Sequence, residues 1–266
     1  MKLKKTHNIL AQLILGLFIF SCDFTPLIHK EILSAQNYIL AQEYLKAIVK
    51  YEQILEKDPE DDLKLKIYFQ LGELYSIHKQ DNKKALEYYN LVRTVTNDPL
   101  WIVKTEEKIA EINFTFLKNF KESAISYKRL AKIRPRLNKT DLYEYRYGLS
   151  LKNIRAYQLS SDIFKSINKN QKHEYFAKSF YELGLIKFEK KDFKGAINLW
   201  SQYIRRERDR DAVIQAKFMI ANAYETIEEL AKAYNIYYSI VGDYPNTEVI
   251  QERLKSLYER RISRKR

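Results

Sequence analysis

Small, aromatic and apolar positions recur along this chain at one long period. A small residue inside a helix-periodic apolar stretch stands at Ala35, Gly72, Ala110, Gly148, Gly184 and Ala221, at intervals of 37, 38, 38, 36 and 37 residues. A second small residue follows at Ala47, Ala85, Ala124, Ser160, Ala196 and Ala233, twelve residues on in four repeats, thirteen in the second and fourteen in the third. Four places later come Tyr51, Tyr89, Lys128, Phe164, Trp200 and Tyr237, with Tyr127 one place early in the third repeat. Residues four apart share a helix face, so each period predicts two antiparallel helices with a small/aromatic seam between them. Pro59, Pro99, Pro135 and Pro245 close four of the periods, as helix-breaking punctuation does. Asn168–Asn170 and Arg208–Asp211 replace the proline after the fourth and fifth, where local irregularity is expected.

The repeats divide the chain at about 29–60, 63–99, 101–136, 141–170, 174–209 and 211–245. After Pro245, Asn246 offers an N-cap, and Ile250, Leu254, Leu257 and Tyr258 form an amphipathic stripe, which predicts a capping helix and basic tail over 246–266. Three of the six glycines occupy the first small position. Glycine inside a helix costs about 1 kcal/mol relative to alanine, so close helix packing is expected there.

The stretch Ala221 to Pro245, with Tyr224, Ala233 and Tyr237 between, resembles a tetratricopeptide repeat (TPR), a helix–turn–helix unit of about 34 residues. The resemblance covers roughly residues 27–245. It implies an all-α fold, a TPR superhelix (α-solenoid) of about six hairpins plus a capping helix, because one hairpin cannot bury its own apolar face. Two departures stand out: no Trp occupies the early first-helix position, where Tyr68 and Phe180 are the aromatics, and the third and fourth repeats match least.

The front end reads differently. Lys2, Lys4 and Lys5 precede Ile9–Phe20, a run that is apolar except for Gln12, and Ser21 then leads to Cys22, the single cysteine. A basic segment followed by a short apolar run describes an export signal over 1–21. Ile19–Cys22 resembles the lipobox of bacterial lipoproteins, which implies lipidation (palmitate among the acyl groups) of Cys22 and a short tether over 22–28. An uncleaved signal anchor, or a plain signal peptide with Cys22 a bystander, are the alternatives. A lone cysteine supplies no disulfide framework.

The net charge of +13 becomes +10 without residues 1–21, which hold three lysines and no acid. Attraction to anionic head groups suits a short tether and the Arg260–Arg266 tail. Nucleic acid is not the expected partner of an exported chain, and Arg205–Asp211 alternates in sign. A lysine-rich surface without a dedicated anionic ligand is the plainer account.

Catalytic chemistry is not expected. The four histidines, His7, His29, His78 and His173, are scattered, and no HExxH, paired cysteines, phosphate loop or G-x-S-x-G occurs. No cofactor, metal or small-molecule substrate is implied. By the TPR resemblance, residues three before each first small position face a groove: Ile32, Phe69, Glu107, Tyr145, Tyr181 and Phe218, with Leu149 and Leu185 flanking the middle two. The expected partner-binding set is Phe69, Tyr145, Leu149, Tyr181, Leu185 and Phe218, with ordinary core packing of the same residues as the alternative. The residue after each small position is Gln36, Glu73, Glu111, Leu149, Leu185 or Asn222, which lacks most of the Lys/Asn clamp of chaperone-tail TPR domains.

Together these features resemble envelope TPR lipoproteins, either the BamD type of outer-membrane β-barrel assembly or the Tol-Pal-associated periplasmic TPR protein. The resemblance implies a non-enzymatic scaffold on the periplasmic face of the outer membrane, binding an envelope protein. Inner-membrane placement, a surface-displayed adhesin and a peptidoglycan-acting enzyme are the other readings.

Overall fold

The computed structural model describes residues 25–264, with side chains from Leu27 onward. Residues 1–21, Cys22 and the start of the expected tether lie outside the described residues. Thirteen α-helices and no strand occur among those described. The described residues divide into two compact units, one up to Thr105 and one from Glu106 onward.

In the first unit, α1 (Thr25–Leu40) pairs with α2 (Tyr44–Leu55), and α3 (Asp61–Glu73) pairs with α4 (Asn82–Val95). Helix α5 (Pro99–Glu111) begins on a proline, whose missing N–H is no loss in a first turn, and runs past Thr105 into the second unit. That unit continues with α6 (Phe120–Lys132), α7 (Thr140–Asn153), α8 (Tyr157–Asn168), α9 (Phe176–Glu189), α10 (Phe193–Ile204), α11 (Arg210–Thr226), α12 (Leu230–Tyr238) and α13 (Thr247–Ser263).

Each predicted hairpin is present, and one device turns all six. A non-glycine residue in the left-handed region joins the two helices: Gln42, Gln80, Lys118, Arg155, Lys191 and Glu228, with φ between 53° and 63°. A single such residue reverses the chain, at a steric cost that tertiary packing must offset. In the second, third and fifth hairpins an Asp or Asn follows, and its side chain caps the next helix: Asp81 to the Lys84 N–H, Asn119 to the Glu122 N–H and Asp192 to the Gly195 N–H. Asp192→Ala is expected to lower stability by removing the cap from the Gly195 N–H, read as a lower midpoint in a urea titration.

The uneven offsets of the second and third repeats have a structural cause. Helices α3 and α5 each run on into a π-helical turn, Leu74–His78 and Ile112–Phe116. Such a turn adds one residue without adding length to the seam. The added residue accounts for the offset of thirteen in the second repeat. In the third it corrects the sequence assignment. Counting from its cap Asn119, the second small residue is Ser123, not Ala124. Ser123 is buried and shares a 2.7 Å hydrogen bond with the Ser150 hydroxyl. Its aromatic partner four places on is then Tyr127, which is buried, while Lys128 points to solvent. No register slip exists once the turn is counted.

The glycines follow from the rings opposite them. A Cβ on Gly72 would lie 2.6 Å from the Tyr89 ring, on Gly148 2.8 Å from Phe164, and on Gly184 2.4 Å from the Trp200 indole nitrogen. In the first and last repeats the seam accommodates the Cβ atoms of Ala35 and Ala221, both fully buried, opposite the buried rings of Tyr51 and Tyr237.

The C-terminal prediction holds in outline. Asn246 caps α13 through the Val249 N–H, and Ile250 and Leu257 are fully buried against Tyr237, Ala233 and Ile214. Tyr258 departs from the predicted stripe and is exposed. At the junctions lacking proline, Asp209 caps α11, and the segment after Asn168 turns through His173 before α9.

The packed tyrosines make the fold alkali-sensitive. Burial pushes the Tyr127 hydroxyl up to about 12, and burial together with a hydrogen bond to Glu52 does the same for Tyr75. Both ordinarily ionise near 10. Above that pH the unfolded chain loses protons that the folded chain keeps. Stability is therefore complete below pH 10 and is lost as pH rises toward 12. Circular dichroism and tyrosinate absorbance are expected to change together over that interval.

Candidate functional site

The predicted binding residues lie on the first helices of their hairpins, and one arrangement recurs. Each aromatic among them packs against the seam ring of its own second helix. Phe69 meets Tyr89 edge-on at 5.4 Å, Tyr145 meets Phe164 at 5.8 Å, Tyr181 meets Trp200 at 6.4 Å and Phe218 meets Tyr237 at 5.6 Å. Aromatic pairs at these spacings hold their rings in fixed orientation.

Each also has a second ring beside it, from beyond the second helix in three of the four cases. Trp101 packs edge-on to Phe69 at 5.3 Å, Tyr175 stacks on Tyr145 at 4.3 Å, and Tyr244 stacks on Phe218 at 4.7 Å. For Tyr181 the neighbour is Tyr203, at the end of α10 and 5.2 Å away. The sequence reading missed Trp101, Tyr175 and Tyr244. They follow their partners by 32, 30 and 26 residues, so no fixed period exposes them.

Burial then separates the set. Phe69 is buried, enclosed by Tyr89 and Trp101 with Lys104 over its ring at 4.3 Å, and presents little to a partner. Tyr145, Leu149, Tyr181, Leu185 and Phe218 are half-buried and all belong to the second unit. Leu149 packs against the Phe164 cluster and Leu185 against the Trp200 cluster. Ile32 and Glu107, at the same register, are half-buried too; Glu107 accepts hydrogen bonds from Tyr143 and Lys139.

A buried carboxylate stands inside this face. Glu182 accepts a 3.1 Å hydrogen bond from the Tyr145 hydroxyl and an ion-paired one from Lys152, so α9 is tied to α7 through the ring expected to bind a partner. Burial raises the Tyr145 hydroxyl pKa well above its ordinary range, and the neighbouring Glu182 charge adds to this. Tyr145 thus stays neutral and donates.

His173 is better placed than its isolation in the sequence suggests. It is buried and lies among Arg136, Asp141 and Glu144. Its Nε2 is 3.1 Å from Glu144, and its Nδ1 accepts from the Tyr175 N–H at 3.1 Å. Arg136 bonds both carboxylates, and Asp141 also accepts from the Glu174 N–H at 2.7 Å. Burial raises the Asp141 pKa, but that N–H and Arg136 outweigh it and hold the carboxyl below its ordinary range. This grouping has the residue types of a metal site, but its donor atoms are engaged with one another and with Arg136. Its evident work is to fasten the loop that carries Tyr175 against α7, which seats Tyr175 on Tyr145.

No protein-family model and no curated protein sequence matches this chain. Solved structures do. PilW, a widely conserved type IV pilus biogenesis factor, superposes with a TM-score of 0.54 at 16% identity, over 87% of this chain and 98% of that one. A tetratricopeptide repeat protein from Parabacteroides merdae gives 0.53 at 14% identity, over 87% and 98%. The apo quorum sensor NprR from B. thuringiensis gives 0.50 at 14% identity, over 98% and 77%. At these identities the likeness is one of fold: all-α, a TPR-type α-solenoid.

Proposed function

We propose that this TPR-fold chain is a non-enzymatic scaffold of the cell envelope, tethered through a lipidated Cys22, that holds a protein partner against the first-helix face of its second unit. The supporting observation is the half-buried row Tyr145, Leu149, Tyr181, Leu185 and Phe218, whose rings are fixed by their neighbours and remain partly exposed. Rigid aromatic anchors lose little entropy on binding and concentrate affinity in a few residues. Phe69 drops out of the binding set. The partner is an envelope protein, with a BamD-like or Tol-Pal-associated role as the finer reading, on the periplasmic side of the outer membrane.

Tyr145→Leu combined with Tyr181→Leu keeps apolar volume in the seam while removing both rings. In-cell crosslinking, capture of the tagged chain and mass spectrometry are expected to recover an envelope protein with the unaltered chain. The double variant is expected to lose at least tenfold of it, with circular dichroism unchanged. Undiminished capture by the folded variant removes this face from the proposal, and recovery of cytosolic proteins alone removes the envelope. Metabolic labelling with palmitate, present in the unaltered chain and absent from Cys22→Ala, tests the anchor by itself.

A further inference from the structure

The first hairpin exposes two large apolar side chains at positions where the second, fourth and fifth carry polar ones. On α2, Leu45 and Val49 stand two before and two after the small residue Ala47, and are 62% and 53% exposed. The same two positions are Lys83 and Glu87 in the second repeat, Gln158 and Asp162 in the fourth, and Lys194 and Asn198 in the fifth. The third has Lys121 and Ile125, the latter 39% exposed, and the sixth Ala231 and Asn235, so only the first has a large apolar residue at both. With Tyr38 of α1, Leu45 and Val49 line a depression of about 320 Å³, and Leu45 also lines an adjoining one of about 450 Å³ beside Tyr44 and His78. Lys46 borders both, its ammonium 5.7 Å from the centre of the Tyr38 ring.

Helix α1 adds a second signal from register. In the second unit, the residue two before the first small position meets the preceding hairpin. Arg146 lies over the Phe114 ring at 4.4 Å, Glu182 bonds Tyr145, and Met219 packs on the Trp200 cluster. The residue of that register in the first repeat is Leu33. It is 57% exposed, and at the end of the same helix Leu40 is 81% exposed. No hairpin precedes it among the described residues, and Leu33 faces solvent at the register where Arg146, Glu182 and Met219 each meet a neighbour.

The chain itself indicates what lies beside that face. Cys22 is three residues before Thr25, where α1 begins, a reach of at most about 10 Å. Leu33 is only about 12 Å further along the helix axis at 1.5 Å per residue. An uncleaved Ile9–Phe20 anchor would end five residues before the same point and leave the hairpin equally near a bilayer. Leucine and valine flanked by tyrosine and lysine is the composition of interfacial contact. The aliphatic groups enter the acyl boundary, while hydroxyl and ammonium groups remain among the head groups.

We propose that the face of the first hairpin formed by Tyr38, Leu45 and Val49, on the hairpin whose α1 also exposes Leu33, rests on the lipid bilayer to which the chain is tethered. This rests on the membrane tether proposed above, and it sets how the scaffold stands: the first unit against the lipid, with a contact that the tether alone does not provide.

The test uses the full chain, extracted from membranes and reconstituted into phosphatidylethanolamine/phosphatidylglycerol vesicles. An environment-sensitive thiol dye is placed on Val49→Cys or, as control, on Asp162→Cys at the equivalent position of the fourth repeat. The expected result is co-flotation of both variants, with blue-shifted emission at position 49 that brominated lipid quenches, and water-like, unquenched emission at 162. Co-flotation with water-like emission at 49 overturns the lipid contact and leaves the anchor standing. Blue-shifted emission that brominated lipid does not quench, and that depends on protein concentration, overturns it in favour of a second copy on this face. A chain that fails to float, and whose unaltered form takes up dye at Cys22, overturns both the contact and the anchor.

Discussion

Trp200→Ala is expected to lower stability by about 3–5 kcal/mol, the range for removing a large buried aromatic side chain. The indole is fully buried, donates to the Tyr181 carbonyl oxygen at 3.1 Å and stands over Gly184. Gly184→Ala is expected to destabilise as well, by about 1–3 kcal/mol, because its Cβ would enter the indole and force an overpacked seam. Taken alone, the same change should gain about 1 kcal/mol from helix propensity. The two effects separate in the double variant. With the indole gone, Gly184→Ala is expected to reverse sign and become stabilising by up to about 1 kcal/mol. Urea titration of the four proteins reads the cycle. A destabilising Gly184→Ala in the Trp200→Ala background would show that the glycine serves some purpose other than admitting the ring.

That cycle probes the part of the fold most visible in the sequence. Glycine at 72, 148 and 184, and an aromatic sixteen or seventeen residues later, are two halves of one contact, so the period announced both. What the period concealed was its own exceptions. A π-helical turn adds a residue without changing which side chains meet, so the period alone points to Ala124 and Lys128 where the seam holds Ser123 and Tyr127. A cap supplied the missing signal: Asn119 stands four before Ser123, as Asp81 and Asp192 stand four before Ala85 and Ala196.

The binding face was half legible for a similar reason. Register placed Tyr145, Tyr181 and Phe218 on first helices, but register does not report exposure, and it ranked Phe69 with them although Trp101 covers it. Trp101, Tyr175 and Tyr244 sit on or beside connections of different lengths, where spacing carries no information. His173 was invisible for the same cause. Its partners come from α7 and the segment before it, about thirty residues away, and only folding brings them together.

Lys152→Met is expected to cost about 2–3 kcal/mol, because it leaves the carboxylate of Glu182 buried with Tyr145 as its remaining hydrogen-bond partner. This loss is below the roughly 3–5 kcal/mol typical of a fully buried pair, since the Lys152 side chain keeps 20% of its surface in water. Replacing both members, Lys152→Met with Glu182→Leu, is expected to recover most of the loss, because no charge is then left without a partner. The functional readout is expected to diverge from the stability readout. Tyr145 donates to Glu182, and that bond fixes the ring at the centre of the proposed binding face. The double variant therefore folds almost as well as the unaltered chain but holds Tyr145 less firmly, and partner capture falls while the urea midpoint does not. Equal recovery of both properties would assign the pair to joining α7 and α9 alone, and would leave the orientation of Tyr145 to its stack with Tyr175.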